Sequence, residues 1–296
     1  IIEVQIREGS GTNGLMQQIS DMMGGVSKNA GNVFKNSNCV TPINDIRGIE
    51  AMGYAKGEKI LRCKLACVYR LIDLYGWTQG AGNLITARLN HDEEHFLVNP
   101  YGMLFHEITA SSLIKADMQG NVIEQGTTNF SVNLSAFTLH AAIHSARPDI
   151  RCIIHVQTPS VVAVSALKCG LIPLSQESVV IGDVSTHAYI GGSEEKDKIA
   201  RNLGPNNKVL LLTNQGAVCC GETIEEAFFN ARNTVLASES QLKLMPVGID
   251  NLVLLTDEMR KTLYDAAHKA PDSSPRPDQP SILEQKVERK WRVGGV

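Results

Sequence analysis

The chain has 296 residues, of which 43% are hydrophobic, 5% aromatic and 20% charged. A chain of this length buries roughly three-quarters of the surface its unfolded form exposes, so a substantial core needs no disulfide or metal staple. Lys and Arg number 28 against 31 Asp and Glu, a net charge of −3; this excludes the basic excess of a nucleic-acid wrapper or a strongly membrane-attracted domain.

No run approaches the roughly 18 to 20 apolar residues of a membrane span. Ile1 to Ile6 alternates apolar and polar residues without a basic lead, so no secretory signal is expected. Seven cysteines, an odd number in such a chain, read as reduced cytosolic thiols. Cys63 and Cys67, four apart, and the adjacent Cys219 and Cys220 form no zinc knuckle and are expected to be small buried hydrophobes.

In chain order, residues 1–48 read as a loose lead-in, rich in Gly, Asn and Ser from residue 8 onward. Residues 49–270 carry the ordered patterns. Apolar residues from Ile60 to Tyr75 follow a 3.6-residue period and predict a helix over 56–75, ended by Gly76. Runs at 83–89 and 95–98 predict a hairpin, and Gln119-Gly120-Asn121 a second tight turn before Val122. A helix over 134–147 stops before Pro148, and a strand covers 151–155. Thr158 and Pro159 supply an N-cap and N1 proline for a helix to Leu167.

Further on, Ser193 is expected to open a helix with Glu194 and Glu195 in its first turn. Strands over 208–212 and 217–220 flank Asn214-Gln215-Gly216, and Thr223 with Glu226 forms a capping box for a helix to about Leu242. Four prolines among residues 271–280 read as an extended linker, which sets residues 271–296 apart from the ordered patterns. Helices interleaved with hairpins predict a layered α/β domain with a mixed sheet.

Several spacings suggest chemistry. His91-Asp92-Glu93-Glu94-His95 fits a zinc-protease pattern, but that chemistry needs one helix face, and here the segment is a turn between strands. His140 and His144 lie four apart on a predicted helix that could present both to a metal, but no third ligand stands nearby in sequence, so a structural or surface role is expected. Gly80 to Asn83 precedes a strand, the wrong order for a dinucleotide fingerprint. His155 ends a strand just before a helix, where sites gather in α/β sheets, and Gln157 stands two residues on.

Around these residues the sequence resembles the class II aldolases, zinc enzymes that cleave sugar phosphates. Ile154 to Pro159 is similar to their I-H-T-H-S-P, Leu211 to Gly216 to their L-L-x-N-H-G, and Gly221 to Ala227 to their G-E-T-L-E-E-A. Gly82-Asn83 with Arg88 resembles G-N-x-S-x-R, and Asn99 to Gly102 resembles S-P-S-G. The resemblance implies a three-layer α/β/α sandwich with a mixed, mostly antiparallel central sheet. It also places the family's three zinc-binding histidines at His155, Gln157 and Gln215. The family's catalytic glutamate falls at Ala136, four before His140, and its phosphate-holding serine at Tyr101.

A neutral amide replaces imidazole poorly on zinc, so no metal or other cofactor and no catalysis are expected from these positions. The alternative is a residual metal-dependent lyase or small-molecule sensor using His155. Val40 to Asp45, Asn214-Gln215-Gly216 and Lys286 to Trp291 are similar to the adducin branch of the family, its alpha-like head region most of all. That resemblance implies a cytoplasmic membrane-skeleton protein that self-associates, joins spectrin to F-actin, caps filaments, binds calmodulin and is phosphorylated. The resemblance also implies that 49–270 is the head and that 271–296 holds the linker and the start of a neck. It implies, too, that most of the spectrin and actin contacts are made by regions beyond Val296, so the chain is expected to be a self-associating scaffold.

Overall fold

The computed structural model describes residues 41–47, 53–55, 57–78, 80, 82–89, 94–190 and 195–269. The chain divides into two units, 1–42 and 43–296, and every element named here belongs to the second. The loose stretch before residue 41 and the proline-rich stretch with its continuation to residue 296 lie outside the described residues. Residues 43–47, read as lead-in, lie against the domain. Ile46 is buried, and the Asp45 carboxylate accepts from the Ser111 amide and hydroxyl.

The elements are α1 (Glu58–Leu74), β1 (Ile85–Arg88), β2 (Phe96–Val98), β3 (Ile114–Ala116), β4 (Val122–Glu124), α2 (Leu134–Ala146), β5 (Cys152–Val156) and α3 (Pro159–Ser165). They continue with α4 (Gln176–Val180), β6 (Val184–His187), α5 (Lys196–Leu203), β7 (Val209–Leu212), β8 (Gly216–Gly221), α6 (Ile224–Leu244) and α7 (Asp257–His268). The described strands form one sheet in the order β4-β3-β2-β1-β5-β8-β7-β6. Every neighbouring pair is antiparallel except β6 and β7, which run parallel.

The helix ends follow local chemistry. At the end of α1, Gly76 takes φ +70, its N–H bonds the Asp73 carbonyl, and the Trp77 N–H reaches Ile72. These are the two bonds of a Schellman stop. The Thr158 side chain caps α3, as its position before Pro159 predicts, and the Asn133 side chain caps α2. The capping of α6 differs from the expected box. The Thr223 hydroxyl accepts from the Glu226 N–H, but the Glu226 carboxylate takes the N–H of Glu222 rather than that of Thr223.

The helix expected to open at Ser193 is described from Lys196, with Glu195 at its N-cap in helical conformation. Ser193 and Glu194 lie outside the described residues, and the carboxylate of Glu195 accepts the Ile190 N–H at 3.1 Å.

Strand alternation fills both faces of the sheet. Ile85, Ala87, Cys152, Ile154, Val209, Leu211, Ala217 and Cys219 face one core, shared with residues of α1, α3 and α6. Ile153, Leu210, Leu212, Val218 and Cys220 face a second, closed by α2 and α5, and Phe96, Val98 and Ile114 extend that side with Phe137. This is the three-layer α/β/α arrangement with a mixed, mostly antiparallel sheet. The cysteines divide against expectation: Cys152, Cys219 and Cys220 are buried, while Cys67 and Cys169 are exposed and Cys63 is half-buried. α1 turns Cys67 to solvent because its buried stripe runs through Leu65, Val68, Tyr69 and Ile72.

Candidate functional site

Three of the five positions come together. β5 pairs with β8, setting His155 opposite Val218, and the β7–β8 turn folds against the end of β5. Asn214 adopts φ +61 and Gly216 φ +100, which turns the chain within two residues. A Cβ on Gly216 would lie 2.2 Å from the Val156 carbonyl oxygen, so only glycine allows this approach. The result places the Gln215 main-chain oxygen 3.3 Å from His155 Nε2 and 3.5 Å from Gln157 Nε2.

Both side chains donate to that one carbonyl. The Gln215 side chain turns the other way, and its amide donates to the Tyr189 carbonyl at 2.7 Å. Burial pushes the His155 imidazole down to about 4, so it is neutral at physiological pH. The arrangement therefore offers one neutral imidazole and two amides, each engaged with main chain. Among the described residues, no three His, Cys, Asp or Glu side chains gather in a group that could hold a metal.

The other two positions stand on different elements. Ala136 sits in the first turn of α2, its N–H 3.4 Å from the capping Asn133 Oδ1, and its methyl packs against the Phe96 cluster. Tyr101 follows β2, bonds Ser131 through its main chain at 2.8 Å, and leaves half of its surface exposed.

The helical histidines, expected to be structural or on the surface, are fully buried, and their connection was not legible in the sequence. Thr86 Oγ1 on β1 lies 2.9 Å from His140 Nδ1 and 2.8 Å from His144 Nε2. His144 Nδ1 faces the Ile150 carbonyl at 3.1 Å and must donate to it. His144 Nε2 is then an acceptor, Thr86 donates to it, and His140 Nδ1–H donates to Thr86. Burial and the nearby His155 hold His140 well below the usual histidine range. Thr86, Tyr189 and Ser165, whose hydroxyl accepts the Gly216 N–H at 3.2 Å, carry no sequence signal because each acts only through a contact with a segment distant in the chain.

Of the segment 91–95, only Glu94 and His95 are described. Glu94 has φ +49 and pairs with the buried Arg88 at 3.5 Å, consistent with a turn and not a helix face. A separate cleft of about 560 Å³ opens at the far end of the β7–β8 hairpin, between Lys208, Glu226 and α7, and includes none of the five positions.

Comparisons with known proteins bear on the family and the fold. The family described as Class II Aldolase and Adducin N-terminal domain matches residues 63–242. The chain is 55% identical over 307 residues to Protein hu-li tai shao of Drosophila melanogaster, covering 97% of this chain and 27% of that protein. It is 44% identical over 317 residues to Alpha-adducin of Mus musculus, covering 99% of this chain and 42% of that protein. The chain thus spans less than half the length of these relatives.

Among solved structures, an aldolase II superfamily protein from Pseudomonas syringae superposes with a TM-score of 0.70 at 33% identity, covering 76% of this chain and 90% of that one. The L-fuculose 1-phosphate aldolase from Glaciozyma antarctica PI12 superposes at 0.65 and 27% identity, covering 71% of this chain and 82% of that one. A family match over more than half of the sequence, on the same α/β fold, makes this chain a member of the class II aldolase and adducin N-terminal domain family.

Proposed function

We propose that this chain is a non-enzymatic, self-associating scaffold of a membrane-skeleton protein of the adducin type. The observation that carries the reading is the state of the three gathered positions. His155 and Gln157 both point at one main-chain carbonyl, and the Gln215 amide is spent on Tyr189. A catalytic zinc needs three N, S or carboxylate ligands with an open position for substrate oxygen. This donor set does not fit it. With alanine at position 136, no carboxylate stands there to move a proton. Degenerate zinc positions at His155, Gln157 and Gln215, and degenerate catalytic and phosphate positions at Ala136 and Tyr101, belong to the same proposal.

Identity to alpha-, beta- and gamma-adducins at 40–44% supports self-association, or association with related adducin subunits, as the retained activity. Spectrin, F-actin and calmodulin binding, at the cytoplasmic face of the plasma membrane, belong in this proposal to the whole protein and mainly to regions beyond this chain. Light scattering on a size-exclusion column tests the assembly half. The expected result is a dimer or larger species at tens of micromolar, and a strict monomer overturns it. Co-sedimentation with actin filaments tests the division of labour, with this chain staying in the supernatant.

A further inference from the structure

We propose that Gln215, with His155 and Gln157, is a metal-independent clasp that joins three chain segments at one end of the sheet. The segments are the end of β5, the β7–β8 turn and the exit from β6. The proposal deepens the non-enzymatic reading by giving these positions a present task, and it is separate from assembly. A chain that failed to self-associate could still carry the clasp.

The geometry has a hub and two arms. The hub is the Gln215 peptide, whose N–H closes the turn onto Leu212 at 2.8 Å and whose carbonyl receives His155 and Gln157. One arm is the Gln215 amide on the Tyr189 carbonyl, the shortest bond of the group. The second runs through the next residues: Gly216 N–H reaches the Ser165 hydroxyl, and Asn214 N–H the Ser165 carbonyl. Thr213 N–H adds a bond to the His187 carbonyl at 2.9 Å. The turn is thereby tied to β5, to α3 and to the chain leaving β6.

The exit from β6 depends on such a tie. Beyond His187 the ladder to β7 ends, and Ile190 is 89% exposed. Among the described residues, the Gln215 amide and the Glu195 carboxylate hold the main chain of 189–190. The side-chain amide reaches this carbonyl through three rotatable torsions, one more than the rigid imidazole ring allows, and donates to it without any ion. Closure of this end of the sheet therefore requires no ion.

Thermal unfolding and hydrogen exchange of the whole chain test the clasp, with Gln215→Ala and Gln215→His as variants. Gln215 is half-buried, so both variants are expected to fold. Neither EDTA nor added zinc should shift the wild-type melting temperature. Gln215→Ala should lower it by about 2–4 °C, the size expected for one lost bond in a domain of this length. It should also speed exchange in 187–190 and 213–216 while leaving α6 unchanged. Melting lowered by EDTA, one bound zinc per chain lost in His155→Ala, or unaltered exchange in Gln215→Ala would each overturn the proposal. Gln215→His should lose the Tyr189 bond like the alanine variant; wild-type protection in that variant counts against the amide's role.

Discussion

The hydroxyl of Thr86, on β1, donates to Nε2 of His144, on α2, across 2.8 Å. The same oxygen accepts from His140, so one threonine links two histidines that are both shut off from water, while His140 Nε2 has no partner among the described residues. Thr86→Val keeps the shape and removes both bonds. It leaves a buried donor and a buried acceptor unpaired, at a cost of about 2–4 kcal/mol in urea unfolding. Thr86→Ser should lose far less. Nitrogen chemical shifts should report both imidazoles protonated at Nδ1; an Nε2-protonated His144 contradicts the relay.

Glu226 introduces an alkaline weakness. Burial pushes its carboxyl up to about 7, even with Lys208 at 3.7 Å and the Glu222 N–H as donor. A folded pKa above the unfolded one means that the folded state binds the proton more tightly. The contribution is complete below about 4.5 and is lost as pH rises through about 7. Glu226→Gln keeps the acceptor without the charge. It should remove about 1–3 kcal/mol of the stability difference between pH 5 and pH 8, read from denaturant midpoints.

The histidines act in the opposite direction. Burial, with the Arg88 charge adding to it, holds His144 at about 3, and burial holds His155 at about 4. The unfolded chain takes up protons from about pH 6.5 downward while the folded chain refuses them, so stability falls as pH drops toward these values. Measured in the Glu226→Gln background, where the opposing trend is absent, the loss between pH 7 and pH 5 should reach about 2 kcal/mol for each such histidine. A flat profile there would show that the imidazoles are not sealed from solvent.

Gly216→Ala should be among the most damaging single changes. Its Cβ would sit 2.2 Å from the Val156 carbonyl oxygen, at a φ of +100. Backbone, not a side chain, would have to move, and a loss of about 3 kcal/mol or more is expected. Gly76→Ala is the control. Its φ is +70 at the end of α1, but nothing lies within 4 Å of the added carbon, so only about 1 kcal/mol of conformational cost applies. Equal losses in the two variants would mean that the contact with Val156 is not the cause.

The sequence by itself determined the local events and the family. The Gly76 stop, the Thr158-Pro159 start, the Gly120 turn and the Thr223 cap are each decided by a few adjacent residues and their dihedral preferences. The separated motifs around His155 and Gln215 marked which chemistry to look for. The order of strands was not legible, nor was the task of the polar groups between them. β1 lies beside β5, and β5 beside β8, because both faces of the sheet must be buried at once; no local window contains that condition. Only this pairing brings Thr86 to residues more than fifty positions away and turns Gln215 onto Tyr189. Its physical reason is that a buried hydrogen-bonding group must find a partner, and in a mixed sheet that partner is set by which strands are neighbours, not by which residues adjoin in the chain.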